Sequence, residues 1–303
     1  MLVKSDLIFV SSSSIDTELW NDCVSSQVKQ PIYGMLWYLN LVAPKWEALI
    51  ASDYSFIWPL PISKKMGVKY VYQPFFTQQL GPFSKEKIPS KILAEAWSLI
   101  KSRYKYAHVQ SNVFAESIDC TSKIQRITHH LDLNRPYDSI YKGFSTNLKR
   151  NIKKGIKAGI NIRESSNIEG FIEQLKADYH VRFKGMKEKH YLLLKHLFYG
   201  SKKKSIILEA HHEEGLAARA LFIKDNSQII YLAGAITDIG KKTGAMPLIF
   251  NKIIEENASS PLYLDFEGSM VDSIARFFKS FGSEVFYFDQ LSYNFIKSKL
   301  KDL

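Results

Sequence analysis

YLAGAITDIGKKTGAMPLIFNKII, residues 231–254, reads as a strand, a loop and a helix. The apolar run Ile229–Ile236 is strand-like, Asp238–Gly244 is a loop, and a helix runs from about Ala245 to Asn257. Backbone N–H groups at a helix start are unpaired and carry the positive end of the dipole. Here they fall at Gly244 and Ala245, with Lys241 and Lys242 beside them. Such a corner suits a phosphate, although an ordinary glycine-containing turn accounts for the same residues. A strand follows at Leu262–Phe266, as in α/β proteins.

Two short motifs lie beyond. In YLDFEGS, residues 263–269, Asp265 and Glu267 alternate with Leu264 and Phe266 at a strand end. Carboxylates there can act as a general base or hold an amine; equally, they can cap a helix or pair with an arginine. In RFFKSFG, residues 276–282, Ile274, Phe277, Phe278 and Phe281 form the apolar side of a short helix ended by Gly282. Lys279 is expected deep in that aromatic setting. It could stabilise an oxyanion or phosphate there, or simply snorkel to water.

Further upstream lies the positive charge. The chain carries a formal +11, and residues 139–163 hold Lys142, Lys149, Arg150, Lys153, Lys154, Lys157 and Arg163 with no acid. Phe144, Leu148, Ile152 and Ile156 recur every fourth residue, so the segment predicts a basic amphipathic helix ending near Gly155–Gly159. Lys149, Arg150 and Lys153 on its flanks fit a polyanion such as RNA, a nucleotide diphosphate or a lipid headgroup. A solvated helix face is the plainer reading.

Toward the N-terminus, Asp16 caps a helix reaching about Gln27, and runs at Trp46–Ala51, Phe56–Ile62 and Val68–Phe76 predict an antiparallel meander. A helix from Pro89 to about Ser102 and a strand near His108–Phe114 follow. The second half repeats the order, with strands at Ser205–Ala210, Leu216–Ile223 and Ile229–Ile236. An offset of 161 maps Glu47 to Leu208, Phe56 to Ala217 and Tyr70 to Tyr231. Two similar α/β domains are therefore expected, residues 1–138 and 139–303. A helical insertion from about Ile168 to Tyr199 has Phe171, Leu175, Tyr179 and Arg182 at helical spacing.

The order YLAGA, helix, YLDFEGS, RFFKSFG and a last strand at Glu284–Asp289 resembles the Fem-type aminoacyltransferases that build peptidoglycan bridges, and their relatives of the tandem GNAT (acyl-CoA N-acyltransferase) fold. NLKRNIKKGIKAG from Asn147 is similar to the basic helix opening their second domain. PLPISKKMGVKYVYQPFFTQQLG, residues 59–81, is similar to the first-domain meander of a Fem-like subgroup. The resemblance implies an α/β (α+β) fold of two tandem GNAT-like domains, each a mixed, mainly antiparallel sheet flanked by helices. It implies transfer of an acyl or aminoacyl group from an acyl-CoA thioester or an aminoacyl-tRNA ester to an amine acceptor, such as a cell-wall precursor. It places Phe278 and Lys279 by the reacting ester, with Lys279 on the oxyanion or the leaving ribose oxygen. Tyr231 becomes a donor near the carbonyl. From the motifs themselves, Glu267 is the candidate catalytic carboxylate, and Arg276 and Asp265 join Phe278 as candidate substrate-binding residues. The pyrophosphate loop of the CoA-dependent enzymes, Gln/Arg-x-x-Gly-x-Gly/Ala, falls on Lys241–Met246, with Met246 in the last small-residue place.

Composition agrees with a globular chain. Of 303 residues, 46% are apolar and 23% charged, which excludes a disordered or fibrous protein. Cys23 and Cys120 form no CxxC pair, and GxSxG, Walker A and HExxH motifs are absent. His129-His130 and His211-His212 lie in strand-like runs, where neighbours point to opposite faces, so no metal is expected. Lacking a signal peptide or membrane helix, the protein is expected in the cytoplasm. A non-catalytic module binding tRNA, a nucleotide-sugar or another polyanion is the alternative function. The sequence sets no oligomeric state.

Overall fold

A computed structural model describes residues 7–26, 32–113, 115–117, 123–182, 186–201, 204–268 and 270–295. Phe114, Cys120, Ser269 and the side chains of Tyr179 and Arg182 lie outside the described residues. By compactness the chain forms two units, Met1–Ile127 with Tyr287–Leu303, and Thr128–Phe286.

The first unit contains β1 (Leu7–Ser11), α1 (Thr17–Ser25), α2 (Leu36–Val42), β2 (Trp46–Ala51), β3 (Phe56–Lys65), β4 (Val68–Val71), β5 (Phe83–Ser84), α3 (Ser90–Arg103) and β6 (Tyr106–Gln110). The chain then runs through β7 (Lys123–Asp132), α4 (Tyr137–Lys142), α5 (Thr146–Lys157), β8 (Asn161–Ser165), α6 (Ile168–Arg182) and α7 (Glu188–Gly200). It continues with β9 (Ser205–His212), β10 (Gly215–Lys224), β11 (Gln228–Ile236), α8 (Asp238–Thr243), α9 (Ala245–Asn257), β12 (Tyr263–Asp265), α10 (Asp272–Lys279) and β13 (Glu284–Asn294). Strands β7 and β13 each pass from one unit's range into the other's.

In the first unit the strands lie in the order β1-β2-β3-β4-β6-β13; β4 and β6 are the parallel pair and the other neighbours are antiparallel. In the second unit the order is β8-β9-β10-β11-β12-β7, with β11 and β12 parallel and the rest antiparallel. The strands mapped by the offset of 161 take matching places: β2 with β9, β3 with β10, β4 with β11. Each parallel pair is bridged in sequence by a long helix, α3 or α9, as a parallel connection requires. Leu93, Ala96 and Ile100 of α3 pack with Leu49, Trp58 and Leu60 of the sheet. Ile249, Phe250 and Ile253 of α9 pack with Ala220 and Phe222 of β10. The molecule is a mixed α/β fold with sheets flanked by helices.

Four expectations change. The loop at Asp238–Gly244 is the helix α8: the Thr237 hydroxyl accepts from the Gly240 N–H at 3.1 Å and caps it, with Asp238 favouring the positive dipole end. The third run of the first meander forms a ladder only to Val71. The insertion is two helices, α6 and α7. The basic helix α5 is capped by the Ser145 hydroxyl and buries Leu148 and Ile152, but Ile156 is 64% exposed. Gly155 is buried in its place against Leu248 of α9, and Phe144 packs in the core ahead of the helix.

Candidate active site

The parallel pairing of β11 with β12 lasts three residues, Gln228 to Tyr263, Ile229 to Leu264 and Ile230 to Asp265. Beyond them β11 runs on to Ile236 while the other chain turns away at Phe266. Crevices outside the carboxyl ends of parallel strands are where α/β folds bind ligands. A cavity of about 310 Å³ opens here. Tyr231, Gly234 and Ile236 of β11 form one wall; Phe266, Glu267 and Gly268 after β12 form another. Phe277 and Phe278 of α10, Met246 of α9 and Asp178 of α6 close it.

Within this wall β11 carries a bulge. Leu221 of β10 faces Ala233, yet Phe222 faces Tyr231, so Leu232 is the extra residue. A bulge interrupts the ladder and re-aims neighbouring groups; Leu232 and Ala233 both line the cavity. Tyr231 packs edge-on against Phe250 at 4.8 Å and Phe278 at 6.1 Å between ring centres. Its hydroxyl folds over Gly234: a Cβ there would lie 2.3 Å from the Tyr231 oxygen, so only glycine admits this pose.

Glu267 is held by a tight turn. Its φ is +54°, an uncommon value for a residue with a side chain. Its N–H donates to the Asp265 carboxylate at 2.8 Å, and the Thr128 hydroxyl donates to the same oxygen at 2.8 Å. Asp265 is buried and its second oxygen lies 3.4 Å from His130 Nε2. It faces the His130 side of the sheet and does not line the cavity. His130 stacks on Phe286 and Tyr263, whereas His129 meets Phe278 on the other face, as alternation along β7 dictates. Burial, with lesser repulsion from His130 and Lys279, holds His129 below the usual histidine pKa, against the pull of Asp265.

Lys279 is exposed, as is Arg276. The reason is angular: Ile274, Phe277, Phe278 and Phe281 span the buried side of α10, and positions 276 and 279 fall on the opposite side at 100° per residue. Phe278 is buried and lines the cavity; Lys279 and Arg276 do not. The structure thus brings together Tyr231, Glu267 and Phe278, and sets Lys279, Arg276 and Asp265 outside the cavity wall.

The corner at Gly244 and Ala245 is packed shut. Gly244, φ +79°, ends α8 by donating its N–H to Gly240 and begins α9. A Cβ on it would lie 2.6 Å from the Asn151 carbonyl of α5, Ala245 is fully buried, and Pro247 has no N–H to offer. Lys241 pairs with Asp238 at 2.7 Å and Lys242 is exposed. The Gly244 N–H is thus taken by α8, and its Cα side is packed against α5. On α5, Lys149 donates to the Lys142 carbonyl and stands over the Tyr141 ring, and Arg150 and Lys153 are exposed; among the described residues none of the three meets an acid.

Sequence reading missed Asp178. It is anchored by the Ile236 N–H, which donates to it at 3.3 Å, while Arg219 ties α6 to β10 through the Gly170 carbonyl. Its position three residues after Leu175, on the stripe begun at Phe171, was the available signal: an acid on an apolar helix face. His212, Glu213 and Glu214 bring ligand atoms within 4.8 Å of one another on the exposed β9–β10 turn, whereas His211 pairs with Glu209.

No family model and no curated protein matches the chain. Solved structures do. A structure of FemX superposes with a TM-score of 0.64 at 11% identity, covering 91% of this chain and 96% of that one. The fold is similar to that of this FemX structure. A tandem GNAT protein from the clavulanic acid biosynthesis pathway gives 0.54 at 12% identity, over 95% and 98% of the two chains. The C-terminal domain of a putative lysylphosphatidylglycerol synthetase from Agrobacterium fabrum gives 0.52 at 9%, over 94% and 93%. Likeness at this identity concerns architecture. No helix among the described residues is long and apolar enough to cross a membrane.

Proposed function

We propose that the chain is a tandem-GNAT acyltransferase that moves an aminoacyl group from an ester donor to an amine acceptor. The observation that carries this reading is the character of the cavity. Two carboxylates, Asp178 and Glu267, line it, and no Lys, Arg or His does among the described residues. Carboxylates beside aromatic walls favour ammonium groups, which both an aminoacyl donor and an amine acceptor carry. The close packing at Gly244 and the Met246 side chain in the last small-residue place of the CoA loop support an ester donor over CoA.

In this reading the acceptor ammonium loses a proton to Glu267 and its nitrogen attacks the ester carbonyl. The Tyr231 hydroxyl, and backbone N–H groups at the Leu232 bulge, stabilise the oxyanion. As the C–O bond to the donor breaks, Glu267 gives that proton to the leaving oxygen, and the nitrogen releases its second proton to solvent as the amide forms. Lys279 and Arg276, exposed outside the cavity wall, are assigned to the donor's phosphates and not to the carbonyl or the leaving oxygen. Lys149, Arg150 and Lys153 bear on the same phosphates.

The test is transfer from a charged bulk-tRNA pool to amine acceptors by the full chain, with acetyl-CoA in a parallel arm. Tyr231→Phe and Glu267→Gln should each lower transfer by about 10²-fold, and Lys279→Met by about tenfold, with circular dichroism unchanged. Full turnover in Glu267→Gln would remove it as the base. Turnover with acetyl-CoA alone would replace the ester donor by a thioester.

A second reading is a non-catalytic polyanion-binding module, favoured by the acid-free face of α5. It predicts salt-steep tRNA binding without transfer to any amine.

A further inference from the structure

The first unit has a cavity of its own, of opposite electrical character. It measures about 470 Å³ and is lined by Pro44, Lys45, Ile62, Ser63, Lys64, Lys69 and Tyr72. It forms where the start of β2 meets the end of β3 and the strand β4. The Ile62 N–H donates to the Lys45 carbonyl and the Tyr72 N–H to Pro61, so the lysine-bearing backbone is fixed by the sheet. Three lysines line one space, and no acid lines it among the described residues.

Their arrangement is costly without a counter-charge. Lys64 and Lys69 are direct cross-strand partners in the β3–β4 ladder. Like charges directly opposite destabilise a pair of strands. The nearby Glu47 does not cancel them: it takes Lys69 at 3.2 Å, but also both Nε and Nη2 of Arg103, at 3.0 and 2.6 Å. Among the described residues neither Lys45 nor Lys64 forms an ion pair. The surplus is therefore local.

We infer that this cavity is a binding site for a phosphoryl group. Lysine presents a compact charge with three donors, which suits the tetrahedral oxygens of a phosphate; a planar carboxylate is better matched by an arginine fork. Ser63 and Tyr72 complete the lining. Burial holds the Tyr72 hydroxyl above the usual tyrosine pKa, with Tyr70 adding to it, so it stays protonated. The volume lies in the range of small-molecule sites and exceeds what a bare phosphate fills, and Pro44, Ile62 and the Tyr72 ring supply apolar wall for an attached organic group. The site is independent of the reading of the Tyr231 cavity.

The test is isothermal titration of the full chain with inorganic phosphate and with phenyl phosphate. Saturable binding of phenyl phosphate is expected, weakened about tenfold or more by Lys45→Gln with Lys64→Gln, which is the size of one lost charge-assisted hydrogen bond. Both lysines are exposed, so circular dichroism should not change. Tighter binding of phenyl phosphate than of phosphate assigns the site to a phosphorylated small molecule; equal binding assigns it to phosphate itself. No saturation by either probe overturns the site. So does equal weakening by Lys153→Gln with Lys154→Gln on α5, because binding would then follow net charge and not this cavity.

Discussion

Asp265 shows what one buried side chain can hold in place. At 2% exposure it accepts from Thr128 and from the N–H of Glu267, and it lies near His130. Removing it by Asp265→Ala leaves those donors without an acceptor and should cost about 1–3 kcal/mol. Asp265→Asn keeps an oxygen for them and should recover most of that; urea midpoints of the two variants decide it. Gly234→Ala is the complementary change in the Tyr231 cavity. Its Cβ would meet the Tyr231 oxygen at 2.3 Å and the Arg219 carbonyl at 3.1 Å. The tyrosine must swing aside, so the variant should stay folded yet match Tyr231→Phe in the transfer assay. His129 carries a pH signature. Its folded pKa is held down mainly by burial, so the unfolded chain binds more protons once pH drops below about 6.5. Stability should be level above that pH and fall as acid is added. His129→Leu should flatten part of the fall in urea midpoints measured from pH 7.5 to 5.5; His108 and His190, also lowered by burial, keep the remainder.

Among the elements, α5 and α9 are joined by two glycines of unequal importance. Gly244→Ala must accept a positive φ and meet the Asn151 carbonyl, both backbone constraints. It should cost on the order of 1–3 kcal/mol. Gly155→Ala meets only the flexible Leu248 Cδ1, at 2.3 Å, and regains about 1 kcal/mol of helix propensity. Its urea midpoint should fall less than that of Gly244→Ala, and the reverse order would show that Leu248 cannot move. Much of this level was legible. Helix α9 begins and ends where the glycine and the apolar period place it, and Asp16 caps α1 as its residue type predicts, accepting from the Glu18 and Leu19 N–H groups. Helix α8 was not legible as a helix, because two glycines and two lysines in a short run outweigh a single threonine cap in any local reading.

At the level of the whole chain, charge is unevenly placed. Seven of the formal +11 charges fall in residues 139–163, and five of them lie on α5 without acidic partners among the described residues. Lys149→Glu, Arg150→Glu and Lys153→Glu together should reduce the slope of log affinity for tRNA against log salt by about 2–3, near one unit per lost phosphate contact. Filter binding from 50 to 300 mM salt, roughly the range where such slopes are read, measures it. An unchanged slope would make α5 a solvated face. The fold itself came from order more than from identity. Strand starts at one offset of 161 anticipated three matching positions in the two sheets, whereas the structural relatives share only 9–12% of residues.

Periodicity and turn chemistry are local, so the sequence alone determined helices α1, α3 and α9, the meander strands with their repeat, and the basic helix. Those same rules already place Lys279 across from the phenylalanines of its helix, although its aromatic neighbours in sequence pointed the other way. What only tertiary structure decided is which side chains share a space. The divergence of β11 from β12, the bulge at Leu232 and the reach of α6 bring Asp178, Tyr231 and Glu267 together from positions up to 89 residues apart. The cross-strand register likewise sets Lys64 against Lys69 beside Lys45. Such meetings depend on register and packing between distant segments, for which neighbouring residues carry no signal.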